Sequence, residues 1–118
     1  MTNYLYRFDG KAIAHIENGV IYSLSGIPLA FLENEFVYNY RGIQLGTFES
    51  GWIRDLQGNC AFFSENYSGV GPIPPIHEIP PIPDIPQIPP IKPIPEIPQI
   101  KAIPTFDWSR LSGIQFFK

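Results

Sequence analysis

Residues 6–20 read YRFDGKAIAHIENGV, and three further stretches repeat their plan: YSLSGIPLAFLENEF at 22–36, YNYRGIQLGTFESGW at 38–52 and RDLQGNCAFFSENYS at 54–68. Glycine recurs every sixteen residues, at Gly10, Gly26, Gly42 and Gly58. Four positions before these glycines stand Tyr6, Tyr22, Tyr38 and Arg54. Self-similarity at a fixed period indicates repeated supersecondary units. Residues 1–69 are therefore predicted to form one domain of four sixteen-residue units.

Each unit is predicted to contribute two strands. Asp9-Gly10 and its equivalents are predicted to be two-residue turns in which glycine supplies a positive φ, and Asn18-Gly19 and its equivalents are predicted to form the second turns. The runs between turns have ordinary strand lengths, and no stretch shows a helical period. We therefore expect an all-β class, with four hairpin units in a pseudo-fourfold, flower-like or mini-barrel arrangement.

Pairing across two-residue turns assigns the residues to two faces, because directly opposed residues share a face. The larger aromatic set is predicted to be the core face; it comprises Tyr4, Tyr6, Phe8, Ile13, Val20, Tyr22, Leu24, Leu29, Phe31, Phe36, Tyr38, Tyr40, Leu45, Trp52, Leu56 and Phe63. The opposite face is apolar only near the second turns, where Ile16 opposes Ile21, Leu32 opposes Val37 and Phe48 opposes Ile53. This band is expected to be a second buried patch or an exposed ring.

Residues 70–104 follow a different period. Isoleucine stands at every third position from Ile73 to Ile103, and residues 70–104 contain thirteen prolines. Proline excludes helix and sheet interior, so a polyproline II tract is predicted, spanning roughly 100 Å if straight. Eleven isoleucines on one edge favour a covered surface over a solvated linker, because each is worth about 2 kcal/mol when buried. The cover is expected to be the β unit, other copies of the chain or a partner.

The last segment, residues 105–118, resembles a partial repeat. Its Leu-Ser-Gly-Ile-Gln-Phe run at 111–116 matches Leu-Ser-Gly-Ile-Pro-Leu at 24–29. With Phe106, Trp108 and Phe117 this segment is too apolar for a frayed end. It is predicted to pack on the β unit of the same chain or of another.

The composition excludes several classes of function. The 118 residues carry a net charge of −3, so we expect no nucleic-acid binding. One cysteine excludes an intramolecular disulfide and multi-cysteine metal sites. We expect no membrane span, no cofactor and no bound metal. No secretory signal is readable, so the localisation stays unknown, with bacterial cytoplasm the most compatible compartment.

Few residues suggest chemistry. His15, opposite Tyr22, is expected to be a satisfied core histidine, and His77 is expected to face solvent. Cys60 is expected to be a small buried hydrophobe, since it lacks a cationic neighbour. A ring of equivalent carboxylates could hold a hard cation, although turn capping or solubility explains it more simply; its members are Glu17, Glu33, Glu49 and Glu65. No nucleophile–base pair is recognisable, so catalysis is not expected.

Arg54 replaces the tyrosine of the other three units. If that position lines a central ring, the guanidinium would stack on tyrosines or hold an anion. Alternatively, the fourth unit is distorted and Arg54 reaches solvent. The candidate binding residues are therefore two sets, one in the repeats and one on the isoleucine edge: Tyr6, Tyr22, Tyr38, Arg54, Ile79, Ile85, Ile91 and Ile97.

The fourfold Tyr-x-Phe/Leu-x-Gly unit resembles the four-fold beta flower domain of small bacterial proteins. The stretches 51–55, 58–63 and 108–117 carry the resemblance together with the period-three tail. It implies a shallow symmetric β arrangement with a central apolar channel, and it implies no activity or catalytic residues. The triplets of that family are basic, whereas this tract is near neutral.

Two functions are expected from these patterns. The first is a non-catalytic binding or scaffolding module, in which the Ile-Pro tract and the β unit make self-association or partner contacts. The alternative is a carrier or sensor of an apolar, lipid-like ligand held in a central channel of the β unit.

Overall fold

The computed structural model describes residues 3–118. Eight antiparallel strands form a closed barrel in the order of the chain. They are β1 (Asn3–Tyr6), β2 (Ala12–Glu17), β3 (Val20–Ser23), β4 (Pro28–Glu33), β5 (Phe36–Tyr38), β6 (Gln44–Glu49), β7 (Trp52–Arg54) and β8 (Cys60–Phe63). The pairing of Tyr6 with Phe63 joins β8 to β1 and closes the barrel. The predicted all-β fold with eight up-and-down strands is confirmed.

The glycine turns differ from the predicted two-residue turns. The Arg7 N–H donates to the Lys11 carbonyl at 3.0 Å and the Gly10 N–H donates to the Arg7 carbonyl at 2.8 Å, which encloses a three-residue loop. Gly10 has φ +85°, as a type I turn with a glycine bulge requires. A second irregularity follows, because Tyr6 pairs with Ala12 but Leu5 pairs with Ala14. Ile13 is thus an inserted residue, and the same shift recurs at all four glycine turns.

The second turns at three of the four predicted places have two residues. Glu17 pairs with Val20 around Asn18 and Gly19, which have φ +50° and +76°. The turns after Glu33 and Glu49 have the same length. After Glu65 the chain forms no further strand and leaves the barrel instead.

The strand faces are the reverse of the predicted ones. The cluster of buried residues that joins strands around the barrel contains Leu5, Ala14, Ile21, Ala30, Val37, Ile53, Ala61 and Phe62. The predicted core tyrosines lie on the outer face, whereas Ile13, Leu29 and Leu45 do pack against the inner cluster. The bulges break the alternation on which the face assignment depended. In addition, the interior of an eight-stranded barrel is only just wide enough for side chains to fill, so it has no room for a full ring of tyrosines.

Residues 72–105, here called the tract, encircle the barrel. The backbone N–H groups of Glu78, Gln87, Glu96 and Thr105 donate to the carbonyls of Gly10, Gly26, Gly42 and Gly58 respectively, at 2.8–3.2 Å. Nine residues of tract therefore span one sixteen-residue unit of barrel, three times in succession between the four contacts. The tract is a ring on the outer face and not a straight rod.

The dimensions agree with an extended ring. The molecule measures 36 × 35 × 23 Å. At the ~3.1 Å rise of polyproline II the tract would form a circle about 33 Å across. The ring therefore lies in the plane of the two long dimensions, and the 23 Å dimension runs along the barrel axis. The structure assigns no helix or strand to residues 72–105, so the polyproline II conformation stays a prediction.

The C-terminal segment packs on the barrel of its own chain. Trp108 forms a bridge with Cys60, and the Phe8 N–H donates to Ser112 Oγ at the first glycine turn. A short 3-10 helix, Ile114–Phe117, follows. Its two phenylalanines are buried, with ring centroids 5.6 and 5.5 Å from that of Phe62. The segment thus closes the barrel at the end where the glycine turns lie.

Candidate interaction surface: the isoleucine belt

The three positions of each triplet in the tract differ in their contacts and exposure. The residue after most of the isoleucines, such as Pro74, His77 or Pro80, is half-buried against the barrel, whereas Lys92, Lys101 and Pro104 at the same position are exposed. The third residue is the one whose backbone N–H reaches the barrel, as for Glu78 and Gln87. The isoleucines point away and are 85–97% exposed: Ile73, Ile76, Ile79, Ile82, Ile85, Ile88, Ile91, Ile94, Ile97, Ile100 and Ile103. These eleven side chains are here called the belt.

The tract approaches the glycine turns too closely for any side chain there. A Cβ on Gly26 would lie 2.5 Å from the Ile85 carbonyl oxygen, and one on Gly58 would lie 2.4 Å from that of Ile103. The contacts at the other two turns follow the same nine-residue spacing, with the carbonyls of Ile76 and Ile94. The repeated glycine therefore has two physical reasons, the positive φ and the closely packed tract.

Two carboxylates fix the tract to bulged strand positions. Glu78 Oε1 accepts from the Ala12 N–H at 2.9 Å, and Glu96 Oε1 accepts from the Gln44 N–H at 2.8 Å. The equivalent residue of the second unit is Pro28, which has no N–H to satisfy. In the fourth unit the Cys60 N–H donates to the Asp107 carbonyl instead. Pro28, the single proline before the tract, thus lies at a position where a backbone N–H would need a hydrogen-bond acceptor.

The predicted tyrosine sites lie beneath the tract, not around a central channel. Tyr6, Tyr22 and Tyr38 are at most 6% exposed. The His77 ring stacks on Tyr6 at 4.1 Å between centroids, so His77 is half-buried and not simply solvent-facing. Tyr6 donates to Glu65 Oε1 at 3.2 Å. Burial, reinforced by the Glu65 carboxylate, raises the pKa of Tyr6 to about 12, so this hydroxyl stays a donor.

Arg54 occupies the place where the ring of tract begins and ends. Its Nη1 donates to the carbonyls of Gly58 at 2.8 Å and Thr105 at 3.1 Å, and its Nη2 donates to the carbonyl of Val70. The side chain is 6% exposed, so it neither reaches solvent nor faces a ring of tyrosines. One guanidinium can bond several carbonyls at once, which a tyrosine cannot. This explains the departure from tyrosine in the fourth unit, and anion binding stays an untested prediction.

The equivalent glutamates each face a partner at the second-turn end. Lys101 Nζ lies 2.9 Å from Glu35 Oε2 and also donates to Glu49, and this bond from Lys101 lowers the pKa of Glu49. Lys92 Nζ lies 3.9 Å from Glu33 and 5.5 Å from the centroid of the Phe31 ring. Within residues 3–118 no group of three or more acidic, histidine or cysteine side chains could hold a metal ion.

The two remaining candidates for chemistry are buried. His15 stacks on Tyr22 at 5.5 Å, as the strand pairing predicts, and is 0% exposed. Neither ring nitrogen has a hydrogen-bond partner among the described residues, so the expected satisfied histidine is wrong on this point. Burial lowers the pKa of His15. Cys60 is buried too, and burial raises the pKa of its thiol to about 11, which is typical of an unreactive thiol.

Sequence reasoning missed the register between tract and barrel. The signal is present, because Glu78, Gln87, Glu96 and Thr105 are non-proline residues spaced by nine. Proline stands at third positions such as Pro75, Pro81, Pro90 and Pro93, where no N–H could be donated. A period of nine beside a period of sixteen, each occurring four times, would have indicated a tract wrapped around the domain.

The chain was compared with family models, with curated proteins and with solved structures. No helix within residues 3–118 is long and apolar enough to cross a membrane. Neither the curated proteins nor the solved structures compared with the chain gave a match. The family model described as 4-fold beta flower protein matches residues 3–117, almost the whole chain. The chain, with its barrel of four repeated units and its ring of tract, therefore belongs to the 4-fold beta flower protein family.

Proposed function

We propose that this protein is a non-catalytic binding module whose contact surface is the belt. The observation that supports this most directly is the exposure of all eleven isoleucines. Each side chain offers roughly 100 Å² of apolar area, so the eleven side chains of the belt together offer about 1,000 Å². Monomeric proteins seldom leave contiguous apolar patches larger than a few hundred Å² in water. A surface of this size therefore favours a covered state.

The belt is also preorganised for contact. The tract is held to the barrel by backbone bonds at each glycine turn, by two carboxylates and by Arg54. Its prolines restrict the backbone further. Binding through the belt would therefore cost little ordering of the main chain, which is a large part of the cost of association for a free proline-rich segment.

The shape of the belt favours scaffolding. The isoleucines lie on a convex rim, so a neighbouring copy meets only an arc of it. Three isoleucines per contact would supply about 300 Å² per partner, well below the ~800 Å² of a stable interface. Contacts at several arcs can exist together, so weak edge-to-edge association of many copies is the expected behaviour.

A set of four belt substitutions tests this function. Ile79→Thr, Ile85→Thr, Ile91→Thr and Ile97→Thr combined should leave the fold intact, because these side chains are 90–96% exposed. The matched control carries valine at the same four places and keeps an apolar edge. Sedimentation velocity at rising concentration should show association of the wild type and the valine form, and a monomer for the threonine form. Equal sedimentation of all three proteins would refute the proposal.

The carrier alternative has less support. The predicted central channel is filled by the inner cluster, and Phe116 and Phe117 pack against it from the glycine-turn end. An apolar ligand would have to displace these side chains, so ligand binding in the barrel stays a prediction and is not proposed.

A further inference from the structure

The tract supplies an ammonium group to two of the four equivalent glutamates. Lys92 Nζ lies 3.9 Å from Glu33 Oε2, and Lys101 Nζ contacts Glu49. These two lysines are nine residues apart, which is the spacing at which the tract repeats its backbone contacts with the barrel. The spacing therefore defines one position of the tract that lies beside the glutamate of each unit.

The fourth unit has the glutamate but not the lysine. Two steps of nine residues before Lys92 stands Pro74. Pro74 and Glu65 line one groove of 370 Å³, so the ring of tract does bring this position to the glutamate of the fourth unit. Phe63, which also lines the groove, is the equivalent of Phe31, and Lys92 Nζ lies over the Phe31 ring at 5.5 Å from its centroid. The groove thus lies where the second unit holds a lysine side chain.

Two hydrogen-bond acceptors line this groove and lack a donor. His77 Nδ1 lies 2.7 Å from the Glu78 carbonyl oxygen. A carbonyl oxygen can only accept, so in the neutral ring Nδ1 carries the hydrogen and Nε2 is an acceptor. His77 Nε2 lies 3.9 Å from Glu65 Oε1, which accepts from the Tyr6 hydroxyl. Within residues 3–118 neither Nε2 nor Glu65 Oε2 has a hydrogen-bond donor, so both can accept from a group that enters the groove.

We propose that this groove binds a primary alkylammonium group from outside the chain, which donates to the Glu65 carboxylate and to His77 Nε2. An ammonium has three N–H donors and no acceptor, so it suits two acceptors beside one negative charge. The Tyr67 ring, which is 43% exposed, and Pro74 line the same groove and offer apolar contact to the alkyl chain. The chemical class is that of a lysine side chain or of a small free amine. None of the four belt isoleucines substituted above lines the groove, so this site does not depend on the proposed function of the belt.

A titration followed by NMR at pH 8 tests the site, because a histidine ring is neutral and a primary amine is charged at this pH. Butylammonium chloride is added at constant ionic strength, and the shifts of the His77 and Tyr67 ring signals are recorded. We expect saturable shifts with a dissociation constant of about 1–10 mM, as befits a ligand of about five non-hydrogen atoms. Butyltrimethylammonium carries the same charge without an N–H donor and should bind at least about tenfold more weakly.

Two variants remove the site in different ways. Glu65→Gln keeps an oxygen acceptor but removes the charge. Pro74→Lys supplies an ammonium group from the tract itself, as in the second and third units. Each should weaken the binding of butylammonium at least about tenfold. The matched control is Pro83→Lys, since Pro83 is half-buried like Pro74 but lies at the equivalent position beside Glu17; binding at Glu65 should be unchanged in it.

A lysine derivative distinguishes the two sources of the ammonium group. If Nα-acetyl-lysine N-methylamide binds at least about tenfold more tightly than butylammonium, the site is assigned to a lysine within a polypeptide, and a smaller difference assigns it to free amines. The proposal is overturned if no saturable shift occurs up to about 0.1 M butylammonium. Unchanged binding in Glu65→Gln or in Pro74→Lys, or equal binding of butyltrimethylammonium, would overturn it as well. None of these results alters the sedimentation of the belt variants, so the two proposals fail separately.

Discussion

Replacing Gly26 by alanine should release the tract at the second glycine turn. Gly26 has φ +85°, and a Cβ there would lie 2.5 Å from the Ile85 carbonyl oxygen and 3.2 Å from its carbon. Both are backbone atoms, so no side-chain rotation relieves the overlap. The tract must move away, and the bond from the Gln87 N–H to the Gly26 carbonyl lengthens or breaks.

The matched control is Gly19→Ala. Gly19 has φ +76°, and nothing lies within 4 Å of a Cβ built there. Each variant bears the left-handed backbone cost of about 1–2 kcal/mol. Gly26→Ala should lose a further 1 kcal/mol or so with the hydrogen bond. The overlap itself should add about 1–3 kcal/mol. We expect the free energy of unfolding to fall by at least about 2 kcal/mol more for Gly26→Ala than for Gly19→Ala.

Urea unfolding of the two variants measures this difference. With a slope of roughly 1–3 kcal/mol per M, 2 kcal/mol corresponds to a midpoint shift of about 1 M. Hydrogen exchange should show faster exchange of the Gln87 amide in Gly26→Ala and no change there in Gly19→Ala. Equal midpoints and equal exchange of Gln87 in the two variants would refute the reasoning that the glycine is needed for the close approach of the tract.

Three further changes should have distinct effects. Burial lowers the pKa of His15, so the stability that its neutral form supplies is present above the unfolded pKa of 6.5. This stability is lost as pH falls below 6.5, by up to about 1.4 kcal/mol per pH unit. His15→Phe copies the residue of the second unit at that position and should abolish this pH dependence in unfolding curves measured between pH 7 and 5. Arg54→Met removes a donor from the carbonyls of Gly58, Thr105 and Val70, of which the Gly58 carbonyl still accepts from the Thr105 N–H, and it should lower the free energy of unfolding by about 2–4 kcal/mol. Arg41→Met at an exposed site should change it by less than about 0.5 kcal/mol. Similar melting temperatures would contradict the assignment of Arg54 to the place where the ring of tract begins and ends. Deletion of residues 113–118 uncovers Phe62 and should increase the fluorescence of an apolar dye, and an unchanged dye signal would count against a closing role of the C-terminal segment.

The sequence by itself determined the repeat, the fold class and the family. Glycines at a fixed spacing with asparagine or serine in the second turns indicate hairpins, because few residues tolerate a positive φ. These are local properties of the backbone, and they hold whatever surrounds the strand. The period of three likewise predicted that the isoleucines share one edge of the tract, and in the structure all eleven side chains are exposed.

Only the tertiary structure decided which face of the strands is the interior. Bulges such as the one at Ile13 shift the alternation, and closing eight strands leaves inner room for Ala14 and Ala30 but not for a ring of tyrosines. The role of Arg54 has the same origin, because Val70 and Thr105 meet only when the tract has travelled once around the barrel. Contacts between residues far apart in the chain depend on closure of the whole ring, and local propensity carries no information about that closure.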